Sequence, residues 1–409
     1  MRKVRLPRFS TLLTALVAVI ALILSAAGDA ADEPATPDSG TAAEEKEEKD
    51  PYALPAEDAS SQEVTLFMRR LGRMRPPELT QEGVLAHFNK IVGIIDQLMT
   101  RPIDERTYQI ACTFKNEVFS VLRQFGDETA EERQREFVEK LTKDERPEIA
   151  ALGRRFEFIG RMESIPALDD AERRQLIDDI AAYMQEGEIE GTHVGLAMQT
   201  AGILEQVSPE LAITAYNVFA KHVETATNPE LAAIAPSMFG AARRLALPGN
   251  PIEIAGTTLA GEEFNITQYK GKVVLVDFWA TWCGPCVQEL PNVVDNYKKY
   301  HAKGFEVVGI SLDDNPEALK SFFEENEVPW VTLFEPDETK RGFENPIAQH
   351  YGINGIPTVI LVNQEGNVVS LEARGDRLGE LLAELLGEPA EATPAPKVPT
   401  KQPLFKSPN

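Results

Sequence analysis

The feature that most constrains this chain is a pair of cysteines three positions apart, Cys283 and Cys286, set just after the apolar run Lys272–Trp279. A short run rich in Val, Leu, Phe and Trp reads as a strand buried on both faces of a sheet. Pro285 pre-sets helical φ, so the pair falls where that strand turns into a helix. The chain holds three cysteines in all, and the third, Cys112, lies far away in sequence. Structural disulfides in a chain this size are normally spread through the fold. Two close cysteines and one distant one suit a working dithiol instead.

The position supplies the chemistry. At the first turn of a helix, unpaired N–H groups and the macrodipole favour an anion, here the Cys283 thiolate, which is the attacking species. Cys286, one turn later, faces the same side and is placed to resolve a mixed disulfide. Gly284 leaves a flat approach for another protein's backbone. A zinc site is the rival reading of Cys-x-x-Cys, but it needs about two further ligands at short spacing. Cys112, His301 and His350 are isolated from the pair and from one another, so no metal is expected.

Around this motif the periodicity describes one α/β domain over 249–388. Leu247-Pro248-Gly249-Asn250-Pro251 breaks the preceding pattern and marks the boundary. Glu306–Leu312 and Trp330–Phe334 read as further strands, with a helix from Pro316 to Glu327 between them. A short helix follows over Asn345–Tyr351. Thr358–Val362 and Asn367–Leu371 flank Asn363-Gln364-Glu365-Gly366, which is hairpin chemistry. A helix over Gly379–Leu386 closes the domain. Such alternation predicts a mixed central sheet with helices on both faces.

Val276-Asp277-Phe278-Trp279-Ala280-Thr281-Trp282-Cys283-Gly284-Pro285-Cys286, Glu289-Leu290-Pro291 and Gly355-Ile356-Pro357-Thr358 resemble the thioredoxin superfamily, and within it the exported TlpA/ResA-like branch. The resemblance covers about a third of the chain. It implies that Pro357 is a cis-proline facing the cysteines, with the Ile356 backbone pairing with a substrate chain. Asp277 is similar to the buried acid of thioredoxins, where burial raises the pKa and lets it accept the Cys286 proton. Glu289 matches the acid that follows the second cysteine in the exported branch, so proton handling is shared between two carboxylates in a way the sequence leaves open. Trp282 is expected to shield the site and, with Gly284, Pro285 and Ile356, to shape the docking surface; Trp279 and Phe278 read as packing. A peroxidase of the related peroxiredoxin kind needs Pro and Thr where Val276 and Ala280 stand. Gly-Pro between the cysteines and Ile before Pro357 resemble the reducing members. The resemblance therefore implies a reductase without cofactor, acting on disulfide-containing or thiol client proteins. Electrons would come from a membrane thiol carrier, and cytochrome c maturation or general thiol reduction is the implied setting.

The rest of the chain places this domain. Arg2, Lys3, Arg5 and Arg8 precede an uncharged stretch over residues 9–28, and small residues Ser25-Ala26-Ala27-Gly28 follow its apolar part. Residues 1–30 thus read as a signal peptide or an N-terminal membrane anchor, the short apolar region favouring cleavage. Export to the periplasm or a similar compartment follows, with a membrane tether through residues 9–28 as the alternative to release. Residues 31–60 read as a disordered acidic linker and 389–409 as a disordered Pro-rich tail. The net charge of −24 excludes a nucleic-acid partner, because phosphate binding needs a Lys/Arg surplus.

Between linker and boundary, residues 61–246 form an expected all-α domain of seven or eight helices. Val84, Leu85, Phe88, Ile91, Val92, Ile95 and Leu98 recur at helical spacing. Similar stripes run through Tyr108–Phe125, Glu131–Leu141, Ala171–Tyr183, Val194–Leu204 and Leu211–Val223. His87, His193, His222 and Cys112 sit in or beside such stripes and read as structural. So many helices are not needed for disulfide exchange. The alternative function is accordingly a partner-binding protein whose helical domain recruits a client, with the dithiol secondary or regulatory.

Overall fold

The computed structural model describes residues 50–388 apart from Glu327. The expected export segment, the linker up to residue 49 and the tail from residue 389 lie outside the described residues. The chain divides at Gly160–Arg161 into two compact units.

In the first unit, α1 (Ser61–Arg73), α2 (Gln81–Met99), α3 (Glu105–Gln124), α4 (Ala130–Thr142) and most of α5 (Pro147–Glu163) surround one apolar core. The starts of the first three are fixed by side-chain caps. Ser60 accepts from the Glu63 N–H in a capping box, Thr80 from Gly83 and Asp104 from Thr107. The α2 stripe Val84, Phe88, Ile91, Ile95 and Leu98 is buried against Phe114, Val118, Phe119 and Leu122 of α3. The acidic segment expected to be disordered as far as residue 60 is packed from Tyr52 onward. Tyr52, Leu54 and Ala59 cover this core, and Arg101 Nη1 donates to the Pro55 and Ala56 carbonyls, each at 3.0 Å. Three apolar side chains and the Arg101 hydrogen bonds seat the segment, although its mean composition reads as solvated.

The second unit holds α6 (Asp170–Tyr183), α7 (Gly191–Val207), α8 (Pro209–Val223), α9 (Pro229–Ala232) and α10 (Ala235–Leu245) together with the sheet domain. The helical region expected as one domain over 61–246 is thus divided between the two units. The reason lies at α10. Gly240 and Gly352 meet backbone to backbone, so that a Cβ at either position would overlap main-chain atoms of the other segment. The Arg243 guanidinium donates to the His350 carbonyl, and Pro248 bridges to Val368. Helices α5 and α10 were not marked out as separate stripes in the sequence.

The sheet is mixed, in the order β5-β4-β3-β6-β7. Its strands are β3 (Val273–Trp279), β4 (Phe305–Ser311), β5 (Val331–Leu333), β6 (Thr358–Val362) and β7 (Val368–Ser370). β3 runs parallel to β4 and antiparallel to β6, so β3 is central and buried on both faces, as its composition requires. Alternate residues divide between two cores. Val274, Val276 and Phe278 enter one with Val308 and Ile310; Val273 and Leu275 enter the other with Phe305, Val307 and Leu361. α11 (Gly284–Tyr300) and α14 (Asp376–Leu386) cover the second face, while α12 (Pro316–Glu325) and α13 (Pro346–His350) pack on the first. α14 starts at Asp376, three residues before the expected Gly379. A small hairpin, β1 (Ala255–Thr257) with β2 (Glu263–Asn265), turns through Gly261 at φ +87° and had no clear alternation to announce it.

Candidate active site

The site lies at the C-terminal end of β3, where the chain leaves the sheet for α11. Cys283 is the N-cap of α11, with extended backbone, and its Sγ accepts from the Cys286 N–H at 3.2 Å. The sulfur thus occupies the place of a capping oxygen and points its lone pairs at orphan amides. Cys283 and Cys286 are joined in a disulfide, with Cα atoms 5.3 Å apart, and each is only 5% exposed. Gly284 and Pro285, between them, are exposed. The surface beside the pair is therefore formed by Gly284, Pro285 and Trp282, which is 57% exposed.

The loop before Cys283 is fixed by a buried carboxylate that sequence reading passed over. Asp313 accepts from the Thr281 N–H at 3.1 Å and from Thr281 Oγ1 at 2.5 Å; Ser311 Oγ donates to its second oxygen at 2.8 Å. The only signal available was a Ser-x-Asp at the end of a strand. On the facing side, the Ile356–Pro357 peptide is cis. Arg374 Nη1 donates to the Pro357 carbonyl at 3.4 Å, a second contact absent from the sequence reading.

Asp277 belongs to the β3 row that faces α11 and α14. Part of its surface reaches solvent, while the surrounding protein atoms largely desolvate the carboxyl group. It makes no hydrogen bond among the described residues. Burial, helped by the nearby negative charge of Glu289 and opposed by Arg374, pushes its pKa up to about 7. Glu289 is held differently. Its Oε1 accepts from the Gly375 N–H and from Asn292 Nδ2, each at 2.8 Å, while Asn292 Nδ2 also donates to the Gly375 carbonyl at 3.1 Å. Glu289 is thus an anchored carboxylate joining α11 to the turn before α14 and not a solvated helix residue.

Of the residues singled out in the sequence, Asp277, Trp282, Cys283, Gly284, Pro285, Cys286 and Glu289 sit on one strand–helix junction. Ile356 and Pro357 come to that junction from the start of β6, the neighbour of β3. Trp279 is buried against Phe322 and Phe323 at ring separations of 5.4 and 5.9 Å, as packing requires. Cys112 is not part of this junction. It is fully buried in the core around α3, and burial pushes its thiol up to about 12. Among the described residues no cluster of three or more His, Cys, Asp or Glu side chains is arranged to hold a metal ion, and no helix is long and apolar enough to cross a membrane.

Residues 247–384 match the Redoxin family. Thiol-disulfide oxidoreductase ResA of Bacillus thuringiensis subsp. konkukian is 33% identical over 130 residues, which cover 32% of this chain and 70% of that protein. ResA of Bacillus subtilis is 29% identical over 111 residues, 27% of this chain and 58% of its own. Among solved structures, the thioredoxin domain of a thiol-disulfide oxidoreductase from Bacteroides vulgatus aligns at 32% identity. That alignment covers 34% of this chain and 97% of the other, with a TM-score of 0.31.

Proposed function

The chain belongs, through its C-terminal domain, to the ResA-like thiol-disulfide oxidoreductases, and from that premise we propose that it reduces disulfides of exported client proteins. The observation that carries the reading is the dithiol at the N-cap of α11, with a carboxyl of raised pKa, Asp277, on the strand β3 that leads into it.

In the reduced enzyme the Cys283 thiolate attacks one sulfur of the client disulfide. A Cys283–client S–S bond forms, the client S–S bond breaks, and the first client thiolate leaves and takes up a proton. Cys286 then gives its proton to the Asp277 carboxylate and attacks Cys283 Sγ. The Cys283–Cys286 bond forms, and the second client sulfur leaves as a thiolate and is protonated. Two electrons and two protons have passed to the client. Asp277, with a pKa of about 7, is matched to accepting and releasing a proton near neutrality. Glu289 holds α11 against the turn at Gly375 and keeps negative charge near Asp277, which supports assigning it a positioning role. Trp282, Gly284, Pro285 and the Ile356 backbone form the surface that the client strand meets, with Pro357 closing it. The cycle is completed by a dithiol carrier that returns two electrons to the disulfide, and a membrane thiol carrier is the carrier class proposed.

The basic start and the apolar stretch of residues 9–28 support an extracytoplasmic location, by export or by tethering to the inner membrane. Gly284-Pro285 between the cysteines supports reduction over oxidation.

The test is equilibration of the chain in glutathione and dithiothreitol buffers, with quantification of the Cys283–Cys286 disulfide. A reductase gives a potential near or below about −250 mV. A value near about −120 to −180 mV makes the protein an oxidase or isomerase and ends the reductase reading.

A further inference from the structure

Soluble proteins rarely leave large apolar side chains exposed side by side without a use. Among the described residues five large hydrophobics are exposed: Leu66, Leu79, Trp282, Phe343 and Val369. The two aromatic ones face each other, with Trp282 and Phe343 ring centroids 6.4 Å apart and planes inclined by 59°. Trp282 adjoins Cys283, so any chain that brings a sulfur to Cys283 passes this pair.

Both rings stand on built supports that start from adjacent residues of the loop after β4. Asp313 fixes Thr281, and with it the backbone that presents Trp282, through the hydrogen bonds described above. Asp314 helps to fix the other side. Its carbonyl accepts from Arg341 Nη1 at 3.1 Å, while Arg341 Nε and Nη2 donate to the Glu335 and Pro336 carbonyls, each at 3.0 Å. The same guanidinium lies 5.0 Å over the Phe334 ring. Gly342 then turns at φ +61°, and the Phe343 carbonyl accepts from Gln349 Nε2 at 2.8 Å. An exposed ring carried on so many backbone hydrogen bonds is held in place and not left to sample solvent. The rim is acidic. Asp314 and Glu344 are exposed and take part in no ion pair among the described residues.

We propose that Trp282 and Phe343 form an aromatic notch that receives a bulky apolar side chain of the client, flanked by Lys or Arg, next to the client cysteine that Cys283 attacks. The inference rests on the reductase reading above and adds a rule for which disulfides are taken. Phe343 is a specificity residue here and takes no part in the bond exchange.

The test uses the full chain, reduced with dithiothreitol and then freed of it. Two synthetic peptides, each closed by one internal disulfide and carrying one Lys, differ only in having Phe or Gly beside the first cysteine. Bis(2-hydroxyethyl) disulfide serves as a small control. Wild-type chain reduces the Phe peptide faster than the Gly peptide. Phe343→Ala slows the Phe peptide about tenfold, the scale of one aromatic contact plus its buried area, and changes the Gly peptide and the small disulfide by less than about twofold. Phe343→Leu, which keeps an apolar body on the same loop, falls between the two. Equal losses on both peptides, or no loss on either, overturn the notch while leaving the reductase reading in place. A wild-type chain that reduces none of the three compounds ends the reductase reading and this inference together.

Discussion

The core of the first unit and the strand–helix junction at Cys283 use the same kinds of side chain to opposite ends. Cys112 sits in mid-helix at zero exposure, where burial outweighs the nearby backbone donor and cations and drives its thiol up to about 12. Cys283 sits at a helix start, where its sulfur already accepts an amide hydrogen. The buried titratable groups differ in the same way. His87 is 3% exposed and hydrogen-bonded to the Tyr52 hydroxyl at 2.5 Å; burial brings its pKa down to about 4. Asp277 is left without a partner and is pushed to about 7. Burial keeps His87 neutral in an apolar core, whereas it holds the Asp277 carboxyl above the usual range on the strand that leads to the dithiol. Reactivity is set by the environment, and both environments occur in one chain.

Exchanging the cysteines breaks the comparison most severely. Cys283→Ser removes the attacking thiolate, and disulfide reduction falls by about a thousandfold or more. Cys112→Ala keeps activity within about twofold and lowers stability by roughly 1 kcal/mol through lost packing. Turnover of a disulfide peptide and thermal unfolding of both variants check this. A Cys112→Ala variant that loses redox activity ends the contrast.

Asp277→Asn comes next. Wild-type resolution of the mixed disulfide speeds up as pH rises through about 7, where Asp277 becomes a base, and the variant is slower by about a hundredfold with a flat profile over that range. The stability sign is opposite. Because the folded pKa lies above the usual carboxylate value of 3.8, stability is fully present below about pH 4 and is lost as pH rises toward 7. Asp277→Asn therefore raises the stability of the second unit above neutrality and leaves it unchanged in acid. A variant equally active with an unchanged pH profile removes Asp277 from the mechanism.

Tyr52→Phe gives the smallest effect. It leaves buried His87 without its hydroxyl partner and costs about 1–3 kcal/mol in the first unit, with no change in disulfide reduction. The pH sign runs the other way from Asp277. The folded pKa of His87 lies below 6.5, so its contribution is present above that pH and is lost as pH falls toward about 4. Unfolding curves of the two units at pH 4, 6 and 8 show whether the two groups pull in these opposite directions.

Local patterns were legible where one physical cause dominated. The apolar run over Val273–Trp279 could only be a strand covered on both faces, and the helical stripe from Val84 to Leu98 lies within one helix as its spacing requires. The hairpin of β1 and β2 was not legible, since three-residue strands carry too few alternations to stand out. Segment 50–60 was misread because acid content outweighed Tyr52 and Leu54 in any averaged view. Arg374, Asp313 and Phe343 escaped notice for another reason. Each acts through a backbone group or ring distant in sequence, and no spacing rule connects them.

The sequence by itself determined the dithiol, the strand that delivers it and the helix whose start activates it, because these depend on residues within one turn of one another. Tertiary structure decided which carboxyl is left partnerless and which is tied down, where the helical region divides, and which aromatic ring stands opposite Trp282. Those outcomes depend on groups brought together by chain segments tens of residues apart. Burial and hydrogen-bond satisfaction are properties of such assembled neighbourhoods and of no segment taken alone.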